Sequence, residues 1–352
     1  MILADLPDLL RCSNSGISAC LSEYRYSLNG SGVGQFRRCR TDKVFMTIPT
    51  EPIGSIPRPA ELIEGMKAFG DGRIGADALE ALFDGAVRDT IRRFEQTGSP
   101  VITDGEQKKY HNFWTYCVDG LPNTSPDGFK IPFAAGHIRH MPRLTSGPFR
   151  YKMSADRFLD VAMRYAHVPV KQAVISPSAL SLMYPAEGLH GYTRDEFIDD
   201  LLREHEAEVR ACLQKGAHKV QIDFTEGRLA IKLDPSGLLL NSFIDLNNLA
   251  LSRFSVEERK RIGVHTCPGG DRDSTHGAEI DYAELLPSLF ELQAGNFYIA
   301  LAGEQDRAHV LRIIRKHLKP DQRIFVGVVA PIWRRAWSAW RPVPRRTIGR
   351  AS

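Results

Sequence analysis

From residue 46 onward, short apolar runs alternate with longer stretches whose apolar residues recur at helical spacing. The runs over 48–53, 100–104, 170–176, 219–223, 262–265, 297–301 and 324–329 predict strands. Between them, the T-x-x-E pattern of Thr193 and Glu196 predicts a capped helix start. Its apolar residues Phe197, Leu201, Leu202, Val209, Cys212 and Leu213 mark one buried face, and Lys215 and Gly216 close it. Strands separated by crossover helices form right-handed βαβ units and a parallel sheet.

Seven such strands fit either a (β/α)8 TIM-type barrel lacking its last β/α unit or a doubly wound sheet. Reactive groups cluster where the strands end. Glu51 and Ser55 flank the first exit, Asp104 and Glu106 the second, Asp223 and Glu226 the fourth, His265 and Cys267 the fifth, and Glu304 the sixth. A barrel would bring these exits to one mouth, and the α/β barrel is therefore the expected fold. The insertion over 110–151, rich in aromatics, prolines and glycines, is expected to form a lid or hairpin over that mouth.

Composition narrows the setting. A chain of 352 residues has length for one large domain or two ordinary ones, and 43% hydrophobic with 25% charged residues is ordinary for a globular protein. No apolar run approaches the roughly 18 residues of a membrane span, and the first twenty residues lack a secretory pattern. A cytoplasmic protein with reduced cysteines is the expectation. The glycine-rich nucleotide-binding motifs are absent, and no nucleic-acid or membrane partner is expected.

The ends differ from the body. Residues 1–45 carry three of the six cysteines. Residues 332–352 carry six arginines, no acid, and three of the four tryptophans. Trp333, Trp337 and Trp340 have the spacing of a short amphipathic helix, but the βα pattern stops in mid-unit, which favours a truncated or frame-shifted end. We therefore divide the chain into an atypical extension (1–45), a catalytic domain (46–331) and an atypical tail (332–352).

His265 and Cys267 lie two apart at a strand end and so share a face. Imidazole nitrogen and thiolate sulfur are both donors that Zn2+ accepts, and Glu304 past the next strand is a third candidate. Read singly, each feature has a plainer reading: core packing for the His-Cys pair, helix capping for Asp223 and Glu226, a turn for Asp104-Gly105. Asp271, Asp273 and His276 are either outer groups around a metal or part of a solvated loop. Tyr110, His111, Phe113, Trp114 and Tyr116 are either a stacking surface for a flat heterocycle or a hydrophobic lid.

Taken in order, Ile53-Gly54-Ser55, Asp104-Gly105-Glu106, Gln221-Ile222-Asp223 and His265-Thr266-Cys267 resemble the catalytic half of cobalamin-independent methionine synthase, and more closely the short single-barrel proteins related to it. The resemblance spans about residues 46–331. It implies zinc-dependent methyl transfer from methyltetrahydrofolate to the thiol of homocysteine, with His265, Cys267 and Glu304 as metal ligands. It also implies that Ile53, Ser55, Glu106 and Asp223 hold the amino acid, the carboxylates pairing with its ammonium. Three departures stand out. Ala300 occupies the strict position of the glutamate ligand, a further cysteine ligand has no counterpart, and no histidine follows the seventh strand to serve as general acid. Two other functions stay open: alkyl transfer to, or thioether cleavage of, another thiol such as coenzyme M, and a non-catalytic relative that binds a ligand or partner.

Overall fold

The computed structural model describes residues 3–5, 24–28, 34–38, 49–109, 116–271 and 274–328. Three short strands, β1 (Leu3–Asp5), β2 (Tyr24–Leu28) and β3 (Gly34–Arg38), precede helices α1 (Ala60–Gly70) and α2 (Ala76–Gln96). The insertion carries β4 (Thr124–Ser125), β5 (Lys130–Pro132), β6 (Ile138–His140) and β7 (Arg143–Leu144), and leads to α3 (Asp156–Met163). Strands and helices then alternate through β8 (Gln172–Ile175), α4 (Pro177–Ser181), α5 (Arg194–Gln214), β9 (Val220–Asp223), α6 (Glu226–Leu233), α7 (Leu238–Leu251) and α8 (Val256–Arg259). The last elements are β10 (Ile262–Thr266), β11 (Gly270–Asp271), β12 (Ser274–Thr275), α9 (Tyr282–Leu289), β13 (Asn296–Ile299), α10 (Arg307–His317) and β14 (Arg323–Gly327).

β8, β9, β10, β13 and β14 pair in that order, all parallel. Their residues are buried almost throughout, as expected of strands covered on both faces by crossover helices. These five fall within two residues of the predicted runs. The two earlier runs behave differently. The run at 100–104 contributes one parallel bridge, Ile102 to Val170, before the Thr103 hydroxyl takes the Gly105 amide at 3.2 Å and the chain turns. Residues 49–53 form no strand.

Among the described residues the sheet is open, so the fold stands as α/β with a five-stranded parallel sheet. A fold that lacks its last β/α unit would leave the outer edge of β14 bare. Instead it pairs antiparallel with β1, Ala4 opposite Val326, which satisfies backbone groups that an open edge would expose. The expected boundaries at 45/46 and 331/332, and the tail tryptophans, lie outside the described residues. No described helix is long and apolar enough to cross a membrane.

The helix predicted from Thr193 forms as α5. Thr193 Oγ1 accepts the Glu196 amide at 3.2 Å, and Glu196 Oε2 accepts the Thr193 amide at 2.7 Å. The insertion folds as a nested hairpin, with β4 against β7 and β5 against β6, so the lid or hairpin reading holds in its second form.

Glu51 requires a correction. It was expected at a strand exit, yet it is bonded to Lys219 and lies 3.6 Å from Lys171, the residues just before β9 and β8. It therefore sits at the entry end of the strands, buried, with the Tyr298 hydroxyl donating to it at 2.7 Å. The misplacement has a simple origin: residues 49–53 join no strand, so position along the run did not report position along the sheet. Burial alone would raise the Glu51 carboxyl, but the two lysines and its hydrogen bonds hold it below the usual range.

Removing one partner of a buried ion cluster leaves the others uncompensated. Glu51→Ala is expected to destabilise the protein by about 3–5 kcal/mol near neutral pH, read from urea unfolding. A carboxyl with a depressed folded pKa contributes stability above its unfolded pKa and loses it as pH falls through the folded value. The gap between parent and variant should therefore close in acid, and a gap constant down to about pH 3 would contradict the pairing.

Candidate active site at the strand ends

The site begins with a register. β9 and β10 are parallel, with His265 directly opposite Asp223, so the two side chains emerge side by side on one face. His265 Nδ1 lies 3.1 Å from Asp223 Oδ1, and Gln221, two residues back on the same face, donates its amide to that oxygen at 2.8 Å. Cys267 follows on the His265 face, and its Sγ accepts the Gly269 amide at 3.3 Å. Burial by itself would lower the imidazole pKa, but the Cys267 thiolate and Asp223 outweigh it and raise His265 to about 10. Conversely, His265 holds the Cys267 thiol below its ordinary range against the upward push of burial.

Glu106 reaches the same place from the turn after Ile102. Gly105 at φ +67° and Glu106 at φ +56° are both left-handed, an unusual conformation for a glutamate. A Cβ on Gly105 would stand 2.7 Å from the Thr90 methyl and 2.8 Å from Ile56 Cγ1, so only glycine fits the turn. A Cβ on Gly54 would meet Glu106 Oε1 at 2.8 Å, so the glycine of Ile53-Gly54-Ser55 lets the carboxylate approach that segment. Ser55 is exposed there, while Ile53 packs on Tyr298 and Phe325. Burial, with Asp223 and Asp104 adding to it, pushes Glu106 up to about 7 despite Lys109.

Lys109 was missed in the sequence. It is fully buried, 3.7 Å from Glu106 Oε1, and donates to the Ala173 carbonyl at 3.2 Å. A lysine three residues past a turn gives no signal of burial, since an exposed position is its usual place.

Glu304 is placed otherwise than expected of a third metal donor. It accepts a 2.6 Å bond from Arg228 Nη2, and that guanidinium stacks 3.8 Å from the Tyr282 ring. Arg228 is 1% exposed and needs a counter-charge, which Glu304 supplies. Among the described residues, no three His, Cys, Asp or Glu side chains group to hold a metal ion. His265 and Cys267 thus offer two donors of the types zinc takes, and the described residues add no third.

The loop after β10 is held by the insertion hairpin. Arg139 grips Asp271 with two bonds, at 2.6 and 3.1 Å, and His137 lies 3.0 Å from the same carboxylate. Phe133 packs edge-to-face on His276, and the Ala134 amide donates to the Thr275 carbonyl at 2.9 Å. Asp271 and His276 are therefore docking points of the hairpin, and the solvated-loop reading fails for them. Asp273, Tyr110, His111, Phe113 and Trp114 lie outside the described residues, and Tyr116 is buried in the core.

This is an α/β protein whose parallel strands deliver carboxylates, an imidazole and a thiol to one end of the sheet. No protein-family model matches it. It is 37% identical over 290 residues to the methionine synthase of Sulfolobus acidocaldarius, covering 80% of this chain and 75% of that one. It is 24% identical over 225 residues to the 5-methyltetrahydropteroyltriglutamate–homocysteine methyltransferase of Vibrio harveyi, covering 62% of this chain and 29% of that protein. Its fold matches the structure of a vitamin-B12-independent methionine synthase from Listeria monocytogenes, with a TM-score of 0.52 at 18% identity, over 78% of this chain and 90% of that one. The chain belongs to the methionine synthase family.

Because Arg228 is buried, Glu304→Ala is expected to cost about 3 kcal/mol or more in unfolding free energy. Metal content measured on the same variant should match the parent. Lost metal with unchanged stability would instead make Glu304 a ligand.

Proposed function

We propose that this chain transfers the methyl group of methyltetrahydrofolate to the thiol of homocysteine, giving methionine without cobalamin. The observation that carries the reading is the meeting of Glu106 and Asp223 with the His265-Cys267 pair, in a chain 37% identical to a methionine synthase. Two buried carboxylates beside one another are poised to receive an ammonium, which favours an amino-acid thiol over a thiol without one, such as coenzyme M. Ile53 and Ser55, on either side of the glycine that Glu106 approaches, hold the rest of the amino acid in this reading. In this reading the parallel sheet belongs to a (β/α)8 barrel, and the protein works in the cytoplasm.

His265 and Cys267 are the proposed donors to zinc. Zinc would deprotonate the substrate thiol and position it as thiolate. The protein's own groups orient the amino acid: Gln221 and His265 fix the Asp223 carboxylate, and the Gly105 turn fixes Glu106.

Methyltransferase assays with purified protein test the reading. Added zinc should support activity, and Cys267→Ser should abolish both zinc binding and turnover. In cobalt-substituted protein, homocysteine should alter the thiolate-to-metal absorption. Protein that binds neither metal nor homocysteine would leave the non-catalytic reading.

The amino-acid subsite makes a separate prediction about pH. With its pKa near 7, Glu106 becomes fully anionic only above neutrality. Methionine, which has no thiol to titrate, should bind more tightly as pH rises through about 7, seen by calorimetry. Asp223→Asn should weaken methionine binding about tenfold or more, the loss expected of a charge-assisted bond. Glu106→Gln should also bind weakly and lose the pH dependence.

A further inference from the structure

Three residues beyond Asp223, at the first position of α6, lies another buried carboxylate, Glu226, 4% exposed. Its Oε1 receives the hydroxyls of both Ser176 and Ser178, which follow β8 directly. Both hydroxyls also accept bonds from other groups. Ser176 Oγ already accepts the Ala179 amide at 3.1 Å as the cap of α4. Ser178 Oγ already accepts Asn247 Nδ2 at 2.8 Å, and Asn247 Oδ1 in turn receives the Ser178 amide at 3.3 Å. Each hydroxyl keeps its proton and lies within hydrogen-bond distance of Glu226 Oε1, and Ser178 Oγ also lies 3.4 Å from Ser176 Oγ.

Oε1 is thus supplied with donors, while Oε2 is buried and has no hydrogen-bond partner. Burial, with Asp223 nearby, pushes the carboxyl up to about 7 against the two serines. A proton on this acid belongs on Oε2, since Oε1 is already occupied by two donors. There it is an O–H without an acceptor, set at the ends of two adjacent parallel strands, where α/β folds bind their ligands. A buried polar atom left unpaired is costly, and a ligand that supplies the missing acceptor relieves the cost.

We propose that Glu226 is the proton donor to N5 of the departing folate, an assignment that rests on the methyl-transfer reading above. The substrate thiol first loses its proton to solvent. The thiolate electron pair then forms the S–CH3 bond as the N5–CH3 bond breaks, the N5 pair takes the Oε2 proton, and Glu226 is left as carboxylate. Reprotonation from solvent restores it, so one thiol and one methyltetrahydrofolate give one thioether and one tetrahydrofolate. Ser176, Ser178 and Asn247 act as positioning residues that keep Oε2 the protonated oxygen.

The test compares two methyl donors on the intact protein. Methyltetrahydrofolate needs its nitrogen protonated to leave, whereas methyl iodide alkylates bound homocysteine without a proton donor. Glu226→Gln is expected to slow transfer from methyltetrahydrofolate by about 100-fold or more, the range of general acid catalysis, while its alkylation by methyl iodide stays within about twofold of the parent. Glu226→Asp, which keeps the acid but shortens its reach, should recover part of the folate rate. Undiminished folate turnover in Glu226→Gln overturns the proposal, as does an equal loss with both donors, which marks a structural role. Failure of the parent protein itself to use methyltetrahydrofolate while still alkylating homocysteine would overturn the donor reading and this assignment with it.

Discussion

The pairing of β9 with β10, Asp223 opposite His265, is the constraint on which the site depends. Parallel strands carry their side chains in matched directions, so this register brings a carboxylate and an imidazole within a hydrogen bond and sends Cys267 to the same face. A slip of one residue would turn one set to the opposite face and dissolve the pair. The crossover helices guard against it by burying both faces of every strand.

Around that register the protein manages an excess of buried negative charge. Asp104, Glu106, Asp223 and Glu226 lie buried at the exit end, with Lys109 as a buried cation among them. Burial pushes Asp104, Glu106 and Glu226 upward, and Asp223 adds to the push on Glu106 and Glu226. Such a site favours ligands that bring positive charge or accept protons, and in the proposed reaction an ammonium and a folate nitrogen do both. At the entry end the balance is reversed: Glu51 stands among Lys171 and Lys219. Those charges face each other inside the protein, at the end of the strands away from the proposed site.

The loop that carries Cys267 is fixed from two sides. Arg228, held by Glu304 and stacked on Tyr282, supports it from α6, and the Tyr282 hydroxyl donates to the Thr266 carbonyl at 2.9 Å. From the other side, Arg139 and His137 of the hairpin hold Asp271. A thiolate at a strand end is useful to catalysis only if its backbone does not wander, and these contacts supply that rigidity.

The sequence by itself determined the five parallel strands and the capped helix at Thr193, because periodicity and capping are local properties written in adjacent residues. It also determined the sharing of a face by His265 and Cys267, which needs only the two-residue repeat of a strand. Tertiary structure alone decided the partners. Whether Glu304 meets a metal or Arg228, whether Glu51 lies at the entry or the exit of the strands, and whether Asp271 faces water or Arg139 depend on contacts between segments dozens to hundreds of residues apart. The burial of Lys109 and the bare Oε2 of Glu226 are of the same kind. A residue's type fixes what it can donate or accept, but only packing removes the water that would otherwise satisfy it, and the unpaired atoms that remain are where a ligand has something to gain.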